Sequence, residues 1–412
     1  GYHYALPEGD GLQWYHVSTD FAYDRGLDTD RRLTGRTVQR GETNLAAFAY
    51  SYDAMSRLKT RQTEGMGLRV GESYTYKSTY VSGVGTLQSD KPATVTVTVT
   101  RLADSTATLA LTYSYSYDKD GNILCVSDGT YTTSYVYDNL NRLTRENNQA
   151  LSKTVVYTYD SNHNITSRTE YAYTTGTLGA VRRQINYTYG SNGWGDVLVS
   201  RNEVTNANLD PVTYEYDAMG NPTTWDEYGY KHLFWQNGRQ LAQIDDYGCL
   251  CTTKFRYNDA GVRVAKELVD WNRLHEYTVD GMTILQERIY STASGKVLEK
   301  TLDYGYDESG SVTFVRVATA TESAVYYYVR NPLGDVVAIT DSVGRVLVRY
   351  RYDAWGVCSQ TVTSGLSGLD EWIAGYNPIR YRGYYYDAEP GFYYVSSRYY
   401  DPEIGRWINA DN

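Results

Sequence analysis

Tyr157-Thr158-Tyr159-Asp160-Ser161-Asn162-His163-Asn164-Ile165 is the stretch on which the fold of this 412-residue chain turns. Alternation of Tyr157 and Tyr159 puts both rings on one face of a strand, because strand side chains alternate with a period of two. Asp160 follows with a carboxylate that accepts hydrogen bonds from backbone amides two residues on and so caps a turn. A Gly or Asn in such a turn supplies positive φ, and the next Leu or Ile starts a returning strand. The predicted unit is a β-hairpin with a tyrosine face.

The unit recurs along the chain. Tyr-Asp occurs ten times, ending at Asp24, Asp53, Asp118, Asp138, Asp160, Asp217, Asp307, Asp353, Asp387 and Asp401. That is well above what 45 Tyr and 31 Asp would give by chance, and eight of the ten carry another Tyr two residues before the first. Phe255-Arg256-Tyr257-Asn258 is a degenerate copy. Gly-Asn follows three residues after Asp118 and Asp217, and Arg-Leu fills the matching slot after Asp53 and Asp138. The repeat Asp residues are therefore expected to cap turns rather than act as acids or bases. The tyrosine ladders need no bound sugar either, since cross-strand aromatic pairs stabilise a sheet by roughly 0.2–1 kcal/mol each.

Composition agrees with an all-β reading. Tyr outnumbers Phe by 45 to 6, and a phenol suits a half-wet β surface better than a dry core. Repeats extend one core instead of starting new domains, so a single continuous architecture is expected. Its rhythm is interrupted at about 64–111 and 171–210. The first interruption contains Thr94-Val95-Thr96-Val97-Thr98-Val99-Thr100, a strictly alternating strand. Helix is expected only as a short piece near Gly368 to Ala374.

Net charge of −10, with no basic run, argues against a nucleic-acid partner. No apolar stretch reaches the length of a membrane span. The chain begins Gly1-Tyr2-His3-Tyr4, without Met or a signal-like segment, and reads as a piece of something longer. Four cysteines do not make a disulfide scaffold. Cys249 and Cys251, two apart, are expected on one strand face where a bridge would be strained. No second Cys or His pair lies at finger-like spacing, so neither metal nor other cofactor is expected.

The C-terminal block carries the most specific signal. It reads Tyr327-Tyr328-Val329-Arg330-Asn331-Pro332-Leu333-Gly334-Asp335, then Tyr350-Arg351-Tyr352-Asp353-Ala354-Trp355-Gly356, then Tyr381-Arg382-Gly383-Tyr384-Tyr385-Tyr386-Asp387. It closes on Ser397-Arg398-Tyr399-Tyr400-Asp401-Pro402-Glu403-Ile404-Gly405-Arg406-Trp407-Ile408-Asn409-Ala410-Asp411. This order resembles the RHS-repeat-associated core domain of Firmicutes-type polymorphic toxins, and the upstream YD repeats extend the likeness over most of the chain.

The resemblance implies a β strip, residues 1–325, spiralling into a hollow shell, with a core domain, residues 326–412, plugging one end. It further implies a variable effector, often a toxin, held inside after the core, on a secreted or cell-surface bacterial protein. Expected partners are that effector and possible immunity or secretion proteins. In that family the core cuts itself free by an aspartyl-protease-like carboxylate pair. Arg398 and Asp411 match its Arg and first Asp, but Asn412 stands where Pro is expected and no second Asp follows. The chain as given is therefore expected not to be an enzyme. The alternative is an adhesin or glycan-binding YD protein using Trp225, Trp235 and Trp271; no carboxylate spacing suggests a glycosidase.

Overall fold

The computed structural model describes residues 17–23, 32–40, 43–65, 67–81, 85–190, 195–205, 210–225 and 230–409; Asp24 and Asp411 lie outside these. The chain is all-β. Its strands form three antiparallel sheets of fifteen, thirteen and four strands, running from Val17 to Thr213, Thr224 to Val362 and Tyr385 to Trp407. Among the described residues, every strand of a sheet pairs only with its neighbours in sequence, and neither large sheet closes on itself.

The hairpin tips share one geometry, seen at Asp160. Its N–H donates to the Asn164 carbonyl at 3.0 Å, and the His163 N–H returns to the Asp160 carbonyl at 3.3 Å. Oδ1 accepts the amides of Asn162 (2.8 Å) and Asn164 (2.9 Å). The amide four residues on was not foreseen from the sequence. It recurs at Asp53, Asp118, Asp138, Asp217, Asp307 and Asp353. It recurs also at Asp341, and with an amide oxygen at Asn258 and Asn331. The third residue after each cap has positive φ, and a glycine is not always there: Ser56, Asn141 and His163 take 61°, 59° and 68°.

The two tyrosines of a repeat do different work. The one beside the Asp donates its hydroxyl to a backbone carbonyl one repeat earlier: Tyr159 to Leu143 at 2.6 Å, Tyr216 to Leu198 at 2.7 Å, Tyr257 to Leu241 at 2.8 Å. The one two residues before, such as Tyr157, Tyr214 or Tyr350, is buried. Pairing also slips by one residue just before many caps, for example between Thr158 and Tyr159 or Gly305 and Tyr306. Such bulges raise local twist, so a row of them curls the strip.

Both interruptions of the repeat are absorbed into the first sheet. Strands Leu68–Val81, Gly85–Arg101 and Thr106–Tyr117 keep the meander order but are longer than their neighbours. Val95, Val97 and Val99 of the alternating run pack against Tyr327, Val329 and Ala338 of the second sheet. The opposite face of the second sheet's last strands, with Tyr326, Tyr328 and Ile339, meets the end block, the helix and small sheet within residues 368–409. These strands thus lie between the first sheet and the end block, as in a rolled strip.

The helix spans Gly368–Tyr376, buries Leu369, Ile373 and Ala374, and runs two residues beyond the expected end. The cysteine expectation needs correction. Cys249 lies in a turn after strand Gln240–Asp246, and Leu250 at φ 53° reverses the chain before Cys251 opens the next strand. The pair is off a common strand face and is disulfide-bonded.

Candidate functional site at the end block

An alternating strand normally keeps its charges on the solvent face. Strand Arg263–Leu268 does not: Arg263 and Lys266 point inward and are 0% and 2% exposed. Their partner is Asp387, on the first strand of the small sheet. Arg263 reaches Asp387 Oδ2 at 2.5 Å, and Lys266 reaches Oδ1 at 3.0 Å and Glu389 at 2.9 Å. Asp387, expected as a turn cap, is instead the anion of a buried ion cluster. Burial pushes its carboxyl up, yet the Arg263 and Lys266 charges outweigh this and hold it below the usual range. Around the Arg263 guanidinium stand the rings of Phe255, Tyr277, Tyr385 and Tyr394, the last at 4.1 Å. Such cation–π contacts favour the charged form of a desolvated Arg.

A second buried carboxylate, Glu287, lies nearby. It accepts His275 Nδ1 at 2.6 Å, Tyr385 OH at 2.9 Å and Tyr304 OH at 3.0 Å, and the Tyr376 hydroxyl. Burial alone would raise its pKa; the His275 and Tyr376 hydrogen bonds lower it below the ordinary glutamate value. Burial pushes the His275 pKa down, while the hydrogen bond from its Nδ1 to the Glu287 carboxylate opposes that shift. Tyr376 comes from the helix and Tyr385 from the small sheet, so one carboxylate gathers three segments.

Two repeat caps also reach across the wall. Asp307 keeps Oδ1 for its own turn while Oδ2 meets Arg330 (2.7 Å) and Arg61 (3.1 Å). Asp353 does likewise, its Oδ2 meeting Lys153 (2.9 Å) and Arg168 (3.2 Å) of the first sheet. Beside it, Glu146 is fully buried, accepting Asn148 Nδ2 and the Ala354 amide. Burial first, then the Asp353 charge, push its carboxyl up to about 7. Asp401 accepts Trp225 Nε1 at 2.8 Å and the Glu403 amide at 2.8 Å.

These carboxylates are enclosed and paired, which suits holding parts together more than moving protons. Arg398 stacks on Trp407 at 4.0 Å, while Asp411 lies outside the described residues. Of the three tryptophans offered for sugar contact, Trp225 is buried and Trp235 donates inward to the Pro222 carbonyl at 2.6 Å; Trp271 is exposed. Among the described residues, the one group with three metal-ligand atoms together is Asp246, Cys249 and Cys251, whose sulfurs are bonded to each other. Among the described residues no helix is long and apolar enough to cross a membrane. The sequence reading missed Arg263, Lys266, Glu287 and Glu146. The available signal was a charge at an inward strand position, as in Arg263-Val264-Ala265-Lys266.

Comparison with known proteins places this architecture. The Teneurin YD-shell family model matches residues 283–412. The tRNA3(Ser)-specific nuclease WapA of Bacillus spizizenii is 32% identical over 211 residues, 51% of this chain and 8% of that protein. The tRNA nuclease WapA of Bacillus subtilis is 30% identical over the same shares. Double-stranded DNA deaminase toxin A of Burkholderia cenocepacia is 24% identical over 48% of this chain and 15% of its own length. The chain therefore spans a small fraction of these relatives. Among solved structures, the TcdB2-TccC3-TEV crystal structure covers 96% of this chain and 19% of its own, at TM-score 0.69 and 18% identity. The Photorhabdus luminescens Tc holotoxin pore gives the same coverage and identity at TM-score 0.70. At that identity the likeness speaks for the fold. The capped tips, the tyrosine tethers, the end block and these matches give the chain the fold of an RHS/YD-repeat shell.

Proposed function

We propose that the chain is the encapsulating and delivery shell of a bacterial polymorphic toxin, with wall residues 1–325 and core residues 326–412. The observation that carries this is the end block's attachment: Asp387 to Arg263 and Lys266, and Tyr376 and Tyr385 to Glu287, all inside the wall. A plug fixed by buried charges is a part whose job is to stay closed. The names of the relatives, nucleases and a deaminase toxin, support a following effector domain as the partner, on a secreted or surface-displayed protein. The shell itself is then structural, and immunity or secretion proteins act on the larger molecule.

The test is protection. A protease-sensitive domain placed after Asn412 should resist thermolysin in the native protein and be digested once the shell is unfolded. Digestion at the rate of the free domain would sink the reading. Self-cleavage is a separate proposal: Asp411 with Arg398 supplies half of a carboxylate pair that a later Asp completes. The intact mass of a product extended past Asn412, beside its Asp411→Asn variant, decides it. Two fragments from the first and one chain from the second are expected; one chain from both removes the protease role.

A further inference from the structure

Where the first sheet faces the back of the second sheet's last strands lies a cavity of about 170 Å³, floored by the end block's Tyr381 and Arg382. Its walls combine tyrosine rings with three cations and three carboxylates, and these are unevenly matched. Asp335 is satisfied by Asn331 Nδ2 at 2.7 Å and the Arg382 amide at 3.0 Å, with the Arg382 guanidinium at 3.6 Å. Asp353 is balanced from behind by Lys153 and Arg168. Asp128 caps its own turn, accepting the amides of Thr130 and Tyr131 at 2.8 and 2.7 Å.

The cations left are Arg349 and Arg351. Among the described residues Arg349 has no ion pair or hydrogen bond, and Arg351 has only the Tyr131 ring, at 4.5 Å. One further donor is idle. Tyr115 is 6% exposed and lines the same cavity, yet its hydroxyl has no partner. A buried hydroxyl without a partner is disfavoured in a folded protein, and an unpaired guanidinium over a half-enclosed cavity invites an oxyanion.

We propose that this cavity is a binding site for a small oxyanion, a carboxylate group held by Arg349 and Tyr115 with Arg351 at its edge. Two sources present that chemistry: a free small carboxylate, or an acidic side chain of a polypeptide lying inside the shell. The first source is independent of what the shell carries, and only the second rests on the proposed shell reading.

The experiment is calorimetric titration of the whole chain with succinate, repeated with a blocked hexapeptide carrying two glutamates. Saturable succinate binding is expected, weakened about tenfold or more by Arg349→Gln and severalfold by Tyr115→Phe, with Arg349→Lys partly restoring it. Competition by the peptide assigns the site to polypeptide carboxylates; binding of succinate without competition assigns it to a free small carboxylate. Urea midpoints for the variants equal to the parent's show that the fold is kept. No saturable binding by either probe, or binding unchanged in Arg349→Gln, overturns the proposal.

Discussion

Arg263 and Asp387 are 124 residues apart in sequence, yet their side chains meet at 2.5 Å with no solvent exposure on either. Removing one member of such a pair leaves the other charge stranded, which costs more than the pair contributes. Asp387→Asn should therefore destabilise the protein by about 3–5 kcal/mol in urea unfolding. Replacing Arg263, Lys266 and Asp387 together by apolar residues of similar size should cost far less. Equal losses for the two designs would show that packing, and not uncompensated charge, dominates the contact.

Glu146 makes a pH prediction whose sign follows from its pKa. The carboxyl is raised in the folded state, to about 7. Between its unfolded value and 7 the native protein holds the proton that the unfolded chain has lost. The contribution is complete below the unfolded value and disappears as pH rises through 7. Asp387 and Glu287 shift the other way, so their contributions are present above their unfolded values and fade in acid. Glu146→Gln mimics the protonated form. The variant should lose less stability than the parent between about pH 5.5 and about pH 8.5 in paired urea titrations. Parallel profiles would exclude Glu146 as the titrating group.

Within one repeat, Tyr214 and Tyr216 should behave oppositely. Tyr216 OH donates to the Leu198 carbonyl at 2.7 Å, whereas the buried Tyr214 OH has no partner among the described residues. Tyr216→Phe should cost about 1 kcal/mol, and Tyr214→Phe should be neutral or stabilising. Similar costs for both would mean that the tethers add nothing beyond ring packing.

The turn geometry gives a paired test at the third residue after the cap. Gly220 sits at φ 80° with nothing within 4 Å of an added Cβ, so Gly220→Val isolates the backbone penalty, about 1–2 kcal/mol. Ser56 occupies the equivalent slot at φ 61°, and Ser56→Gly should gain up to about 1 kcal/mol. Thermal melts of both variants check the pair; a loss for Ser56→Gly would mean its side chain compensates the strain.

Legibility from sequence followed range. The hairpin tip was readable because Tyr, Asp and the positive-φ residue act within five positions of one another. Asn331 and Asp341 form the same turn without the Tyr-Asp spelling, since the acceptor oxygen and the φ are what the geometry requires. The ion clusters were not readable. Nothing near Arg263 names Asp387, and nothing near Arg168 names Asp353, because the pairing is fixed only when the strip has curled. Cys249 and Cys251 were misread for a local reason: Leu250 takes a positive φ that a β-favouring apolar residue does not announce.

The strictly sequential strand order has a consequence for how such a wall is made. Each hairpin needs only the one before it as a template, so pairing can proceed from the N-terminal edge as the polypeptide emerges, with low contact order at each step. A growing edge of this kind accepts a longer hairpin, such as Leu68–Val81 with Gly85–Arg101, without rewiring anything downstream. Distant contacts, such as Asp307 to Arg61, Asp353 to Lys153 and Asp387 to Arg263, fasten strands that are already paired with their neighbours. Assembly is thus a zipper with a terminal clasp, and the molecule can change its length by whole teeth while keeping the same fastening.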